Sequence, residues 1–168
     1  CALPIFDLVH SGNYCFTESE LSKIKEAHIP ISFDFSDDST DEYYKKIVPM
    51  IDYAFCSFDG TDEEAEEHLK MIIGLGAKLA VASRGAEGCI LYDGSTFYKQ
   101  PAAPLEKVVD TMGAGDSLIT SFLIGYTDRM KKKAEKTKAI KESLEDAAKF
   151  AAGICSLEGA FGYGVHYE

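Results

Sequence analysis

The sequence contains no apolar run long enough to cross a membrane, and its His and Cys residues do not follow the spacing of a zinc site. It has five cysteines, an odd count, and no C-x-x-C pair, which argues against a disulfide framework. Reduced thiols of this kind are typical of a cytoplasmic protein. Internal repeats, low-complexity tracts and linkers are also absent from the 168 residues, so we expect a single domain.

Positive charge is scarce in this chain. The 17 Lys and Arg residues stand against 28 Asp and Glu residues, which gives a formal net charge of −11. Such a surface repels nucleic acids and anionic membranes, so we expect neither as a partner. One basic stretch, 129–141, has seven Lys or Arg residues and one Glu. We interpret it as a solvated loop that leads into a helix, with a phosphate-binding patch as the alternative.

Short apolar runs alternate with amphipathic segments in the first half of the chain. The apolar runs predict strands at 4–10, 29–35, 52–58 and 78–83. The amphipathic segments predict helices at 17–28, 40–50 and 61–76, and the second is expected to end near Pro49. Thr17 and Thr61 are the expected N-caps, and Glu20 is expected to complete a capping box with Thr17. This order predicts an α/β fold, a mostly parallel sheet with helices on both faces.

The alternation changes after residue 84. The turn sequence DGS at 93–95 predicts a β-hairpin over 88–100. Apolar periodicity then predicts two helices, at about 114–128 and 137–157. In open α/β sheets, ligands bind beyond the carboxyl ends of the strands, so the loops that follow strands are the candidate sites.

The stretch DTMGAGD at 110–116 places two glycines and an alanine where a loop becomes a helix. Without bulky side chains, the first N–H groups of that helix can contact an anion such as phosphate. Asp116 follows in the first helical turn, where it can accept a proton from a hydroxyl that attacks phosphorus. The alternative is a tight helix-entry turn in which Asp116 only matches the helix dipole.

Three stretches resemble one family in the right order. The stretch 110–117, DTMGAGDS, resembles the D-T-x-G-A-G-D signature of ribokinase-like (PfkB-type) sugar kinases. The stretch 82–94 resembles the family's strand–G-x-x-G–strand segment, and 147–164 resembles its small-residue helix and following loop. The resemblance covers nearly the whole chain and implies a ribokinase-like three-layer α/β/α fold. It is similar in detail to the fructoselysine 6-kinase subgroup, which uses ATP and magnesium to phosphorylate the 6-hydroxyl of the sugar part of a glycated lysine.

The resemblance assigns roles to residues of this sequence. It makes Asp116 the catalytic base, and it implies an anion hole formed by Gly113, Ala114 and Gly115. It assigns nucleotide binding to Ser83, Gly85, Gly88 and Gly159. Asp110 stands where the family often binds a monovalent cation. Arg84, beside Gly85, has two open interpretations, a phosphate contact or a surface salt bridge.

Two departures from the family leave the magnesium ligands unassigned. Asp34 matches the first residue of the family's D-x-N-x-R segment, but FDFSD contains neither the Asn nor the Arg. Ser57 stands at the Asn position of the family's N-x-x-E motif, and no Glu follows three residues later. Asp59 and Glu63 stay open as substitutes.

The resemblance is to the C-terminal half of such a kinase, since family members are about twice this length. The chain also starts inside a strand-like run. We therefore expect residues 1–168 to be a single ribokinase-like α/β domain fragment, the nucleotide-binding and catalytic-base half without the N-terminal half and its lid. We expect this fragment to be a monomer with little or no kinase activity, whereas lid contacts would allow a dimer of the complete protein.

Two functions from different classes remain at this point. The first is an ATP-dependent sugar kinase that acts on a small sugar or glycated amino acid, with fructoselysine as the expected acceptor. The alternative is a non-catalytic sensor module that binds a nucleotide or phosphate. Asp116 favours the kinase, because a carboxylate beside a phosphate would only repel it in a pure binder.

Overall fold

The computed structural model describes residues 5–37 and 39–164 of the chain. They form two compact units. The first contains the residues up to Gly85 together with Cys89–Lys99, and the second contains Ala86–Gly88 and the residues from Gln100 onward. No helix in the described ranges is long and apolar enough to span a membrane.

The first unit is built on a sheet of six strands in sequential order. The strands are β1 (Val9–Gly12), β2 (Ile31–Asp34), β3 (Tyr53–Ser57), β4 (Leu79–Ser83), β5 (Cys89–Tyr92) and β6 (Phe97–Gln100). Strands β1 to β4 are parallel, and β5 runs antiparallel to β4. The connection between β5 and β6 is too short for a parallel crossover, so the pair is a hairpin. The predicted mostly parallel sheet and the predicted hairpin are both confirmed.

Three helices of this unit pack on one face of the sheet. They are α1 (Glu18–Glu26), α2 (Asp41–Ile47) and α3 (Asp62–Gly74). The buried cluster that joins them to the strands includes Leu21, Ile31, Phe33, Ile47, Ala54, Leu69, Ile72 and Ala80. The alternate strand residues Phe55, Leu79, Val81 and Leu91 point to the opposite face and are buried as well. Strands that are apolar on both sides are what a sheet with two covered faces requires.

The start of α3 follows the sequence prediction, whereas the start of α1 does not. The Thr61 hydroxyl accepts from the Glu64 N–H at 3.2 Å, and the Glu64 carboxylate accepts from the Thr61 N–H at 2.9 Å. Thr17 makes no capping bond, because its hydroxyl is hydrogen-bonded to the Ser11 hydroxyl instead. The predicted capping box of α1 is therefore wrong.

The boundaries of two other predicted elements also differ from the structure. The first strand was expected at 4–10, but β1 covers Val9–Gly12, and Pro4 lies outside the described residues. Helix α2 ends at Ile47 and continues as a single 3-10 turn, Val48–Met50. The ring of Pro49 cannot donate an N–H to an α-helix, which explains the early end.

The second unit contains a hairpin of two long helices, α4 (Ala114–Lys131) and α5 (Lys136–Cys155). Their buried sides include Phe122, Leu123, Tyr126, Ile140, Leu144 and Ala148. The basic stretch 129–141 forms the tip of this hairpin. Arg129 pairs with Glu142 at 3.1 Å and with Asp146 at 2.7 Å, and Lys132 pairs with Asp128 at 2.8 Å. These ion pairs favour the interpretation as a solvated tip over a phosphate-binding patch.

Candidate functional site

The N-terminus of α4 begins at a glycine that no other residue would replace easily. Gly113 has a φ of +78°, a left-handed conformation that favours glycine. A Cβ added there would lie 3.4 Å from the ring of Phe161 and 3.6 Å from the Ala160 Cβ. The loop that ends at Gly113 therefore packs closely against the segment after α5.

Two N–H groups at this helix start are open. The Ala114 N–H donates to the Thr111 carbonyl at 3.1 Å, and the Ser117 N–H donates to the Gly113 carbonyl at 2.9 Å. Between them, the N–H groups of Gly115 and Asp116 have no acceptor among the described residues. No atom outside the helix start lies within 4 Å of a Cβ placed on Gly115. Of the predicted anion hole, Gly113, Ala114 and Gly115, the N–H of Ala114 is thus already engaged, and the open donors are the N–H groups of Gly115 and Asp116. These donors and the space at Gly115 fit a phosphoryl group.

Asp116 stands beside these donors in the first turn of α4, and it is exposed. Within the ranges that the structure describes, its carboxylate has no hydrogen-bond or ion-pair partner. Asp62, Glu64 and Glu135 at other helix starts are different, since the carboxylate of each accepts a hydrogen bond. An unpaired carboxylate next to open donors is able to take a proton from a hydroxyl that approaches a bound phosphate.

Asp110 ties the α4 entry loop to the segment after α5. Its Oδ1 accepts from the Met112 N–H at 2.9 Å, and its Oδ2 accepts from the Gly159 N–H at 3.0 Å. The Met112 N–H, followed by the Gly159 N–H, holds the pKa of the Asp110 carboxyl below its usual range. The Val109 N–H adds a bond of 2.8 Å to the carbonyl of Cys155, at the end of α5. The structure thus brings Asp110, Gly113 and Gly159 together.

Gly159 and Gly88 have packing reasons to be glycine, and both belong to the second unit. Gly159 has a φ of +66°, and a Cβ there would stand 2.4 Å from the Cα of Gly164. Gly88 has a φ of +95°, and a Cβ there would stand 2.1 Å from the carbonyl oxygen of Gln100. Close backbone packing therefore accounts for both glycines, with or without a nucleotide contact.

Ser83 and Gly85 lie in the first unit, at the carboxyl end of β4. The Ser83 hydroxyl donates to the Cys56 carbonyl at 3.3 Å and is 3.4 Å from the Ser57 hydroxyl. Gly85 is exposed, has a φ of +55°, and has no neighbour within 4 Å of an added Cβ. Its backbone is therefore open to a ligand, as the carboxyl edge of a parallel sheet allows.

Arg84 lies between these two residues and forms a salt bridge, which was one of the two alternatives that the sequence left open for it. Its guanidinium pairs with the Asp62 carboxylate and donates to the Gly60 carbonyl. No local sequence pattern indicates this contact, because Asp62 lies 22 residues earlier in a run of acids that fits a solvated helix start.

Magnesium ligands remain unassigned. Asp59 and Glu63, the two substitutes that the sequence left open, are both exposed. In residues 5–37 and 39–164, no group of three or more His, Cys, Asp or Glu side chains is arranged to hold a metal ion. Asp34 accepts from the N–H of Ser36 at 3.0 Å within its own turn. The described side chains therefore do not by themselves form a magnesium site.

Comparison with known proteins gives a family and two similar kinases. Residues 8–160 match the pfkB family of carbohydrate kinases. Fructosamine kinase FrlD of Bacillus subtilis is 38% identical over 163 residues, which cover 96% of this chain and 54% of that protein. Fructoselysine 6-kinase of Escherichia coli is 35% identical over 128 residues, which cover 76% of this chain and 49% of that protein. The chain thus spans about half the length of the curated relatives it matches.

Solved structures with low sequence identity share the fold. Ribokinase from Giardia lamblia gives a TM-score of 0.77 at 18% identity, over 94% of this chain and 57% of that one. Arabidopsis thaliana ribokinase, complexed with ribose and ATP, gives 0.74 at 20% identity, over 94% and 52%. The predicted ribokinase-like α/β/α fold is confirmed by this likeness.

Proposed function

This chain belongs to the pfkB family of carbohydrate kinases, and we propose that the whole protein is an ATP-dependent sugar kinase. The observation that carries the proposal is the start of α4, where two open N–H groups stand beside the exposed, unpaired carboxylate of Asp116. A catalytic anion site needs donors for the phosphoryl oxygens and a base for the attacking hydroxyl. Both are present within two consecutive residues, Gly115 and Asp116.

In the proposed reaction, Asp116 accepts the proton of a sugar hydroxyl as that oxygen bonds to the γ-phosphorus of ATP. The bond from phosphorus to the ADP oxygen breaks, and ADP leaves with the electron pair. The open N–H groups of Gly115 and Asp116, in the helix start formed by Gly113, Ala114 and Gly115, are proposed to stabilise the charge on the phosphoryl oxygens during the transfer. Ser83, Gly85, Gly88 and Gly159 are proposed to contact the nucleotide.

Two ions are also proposed, magnesium and a monovalent cation, and the described residues supply a complete ligand set for neither. Magnesium would neutralise charge on the ATP phosphates, but the described residues contain no group of three or more side chains arranged to hold it. A monovalent cation is proposed near Asp110. Both oxygens of that carboxylate accept backbone N–H groups, and each keeps a second lone pair for a cation.

The proposed acceptor is the 6-hydroxyl of fructoselysine. The similarity to fructosamine kinase FrlD and to fructoselysine 6-kinase supports a ketose linked to an amine as the substrate class. We also propose that residues 1–168 form the nucleotide-binding and catalytic-base half of the protein and that the sugar site and lid lie outside them. The free state of Cys15, Cys56, Cys89 and Cys155 supports a cytoplasmic location for the protein.

The test is ATP-dependent phosphorylation by the complete protein. ADP release is measured with fructoselysine, fructose and ribose as acceptors. NMR of the product then identifies the carbon that carries the phosphate. We expect the highest kcat/KM with fructoselysine and a phosphate on its 6-hydroxyl. Turnover with another sugar would overturn the proposed acceptor, whereas the proposal that the protein is a sugar kinase would stand. Tight ATP binding without turnover on any acceptor would favour the sensor module instead.

A further inference from the structure

We propose that Arg84 is a positioning residue that fixes the backbone of the Ser83–Gly85 segment for nucleotide binding. This inference rests on the proposed nucleotide role of that segment and adds a residue that directly contacts neither ATP nor the acceptor. It is carried by an ion-pair network that joins the end of β4 to the start of α3 and to β6. All of its members lie in the first unit.

The Arg84 side chain is held at two points. It is only 9% exposed, although it directly follows a strand end at the sheet edge. Its Nη1 donates to Oδ1 of Asp62, and its Nη2 donates to the carbonyl of Gly60. The planar guanidinium fork serves two acceptors at once, and a lysine ammonium does not reproduce that geometry.

Asp62 is itself fixed, so it can serve as an anchor. It is the first residue of α3, directly after the N-cap Thr61 and within the capping box that Thr61 and Glu64 form. Lys99 of β6 donates to its Oδ2 at 2.7 Å and also pairs with Glu66 at 2.9 Å. The Lys99 hydrogen bond, with a smaller contribution from Arg84, keeps the pKa of the Asp62 carboxyl below its usual range. Asp62 therefore stays charged and oriented by cations on both oxygens.

The second acceptor belongs to an equally constrained backbone. Gly60 has a φ of +155°, and a Cβ there would come within 2.8 Å of the Glu64 carboxylate and 2.9 Å of the Phe58 ring. The Gly60 carbonyl shares its planar peptide group with the Thr61 N–H, which donates to the Glu64 carboxylate at 2.9 Å, so the capping box also orients this carbonyl. Arg84 is thus fastened to two groups that are held in place independently of it.

The residue that benefits is Gly85. Gly85 is exposed, and because glycine has no side chain beyond hydrogen, its backbone can adopt many conformations. Arg84 holds its N-terminal side, so less conformational freedom is lost when a nucleotide binds there. Loss of the anchor should weaken ATP binding and leave the chemical step alone, because the proposed base, Asp116, belongs to the other unit and is not a member of this network.

The experiment uses the complete protein, with Asp62→Asn as the principal variant and Arg84→Lys as the second. Asp62→Asn keeps the size of the side chain, and Arg84→Lys keeps the charge but removes the fork. The matched control is Glu67→Gln, which breaks an exposed ion pair to Lys70 on the same helix. Kd for ATP is measured by titration without acceptor, KM and kcat by ADP release, and Tm by thermal unfolding.

We expect both variants to raise Kd and KM for ATP about tenfold, as the loss of one charged hydrogen bond would do. We expect kcat to stay within about twofold, since the catalytic base is untouched. The double variant should cost no more than the larger single effect, because both changes break the same contact. Glu67→Gln should alter none of these values.

Unchanged Kd for ATP in both variants, at wild-type Tm, would overturn the anchor and leave Arg84 an ordinary salt bridge. A fall in kcat with ATP affinity intact would overturn it as well. If the wild-type protein binds ATP but phosphorylates no sugar, a higher Kd for ATP in the two variants would still support the anchor, although the proposed kinase function would be wrong. Absence of ATP binding in the wild-type protein would overturn both.

Discussion

At the scale of single residues, the proposed mechanism depends first on the Asp116 carboxylate. We expect Asp116→Asn to keep the fold, since the carboxylate is exposed and has no partner in the described ranges. ATP affinity should also persist, because the open N–H groups remain. Loss of the base should lower kcat by roughly 10²–10⁴-fold. The kcat and the Kd for ATP of the complete protein test this, and near-normal turnover would leave Asp116 a helix-start acid only.

Gly115 separates anion binding from proton transfer. The space around it is empty, so the side chain of Gly115→Val would fit the fold but occupy the place proposed for the phosphoryl group. We expect both Kd for ATP and kcat to worsen, unlike the effect of Asp116→Asn. Gly153→Val is the matched control, because Gly153 is an exposed glycine of α5 with equally empty surroundings. If both valine variants behave alike, the effect is helical and not a matter of the anion site.

Single residues also mark where sequence reasoning stops. The glycines and Asp116 could be predicted because the pattern that defines them is contiguous. The partners of Arg84 could not, since Asp62 and Gly60 approach it only through the fold of the sheet and α3. The packing of Phe161 against Gly113 could not be predicted either, because these residues are far apart in the sequence and meet only in the folded chain.

At the scale of elements, two helix starts with the same T-x-x-E pattern behave differently. Thr61 caps α3, whereas the Thr17 hydroxyl contacts Ser11 and leaves α1 uncapped by a side chain. We expect Thr61→Ala to lower the free energy of unfolding by about 1 kcal/mol through loss of the cap. Thr17→Ala should not reduce the helicity of α1. Urea unfolding, with helicity followed by circular dichroism, tests both, and an equal loss of helicity would contradict the assignment.

The strands of the sheet centre were predictable because they are apolar on both sides, which leaves little choice of conformation. The edge strand β1 is more polar, and its sequence VHSG gives a weak strand signal. Its position is set by hydrogen bonds to β2, such as the one from the Val9 N–H to the Pro30 carbonyl, at 3.0 Å. A pairing of this kind depends on a distant strand and leaves no local mark.

At the scale of the whole molecule, the chain spans about half of its relatives. We expect the 168-residue chain alone to show little or no sugar-kinase activity, because positioning of the acceptor carries much of the rate of phosphoryl transfer. We also expect it to be a monomer. ADP release and sedimentation, run beside the complete protein, test both expectations. Robust turnover by the shorter chain would contradict the proposal that the sugar site lies elsewhere.

We also expect the Asp110 carboxylate to couple the stability of the folded protein to pH in acid. Its pKa is lowered in the folded protein by two backbone N–H groups, so its contribution to stability is complete above the unfolded value of about 3.9. That contribution is lost as the pH falls through the lower, folded pKa, when the protonated carboxyl accepts these bonds less well. Below about pH 4, Asp110→Asn should therefore lose stability less steeply than the wild type. The free energy of unfolding is measured by urea titration between about pH 2 and pH 6 for both proteins. The same pH dependence in both would show that protonation of Asp110 does not affect stability.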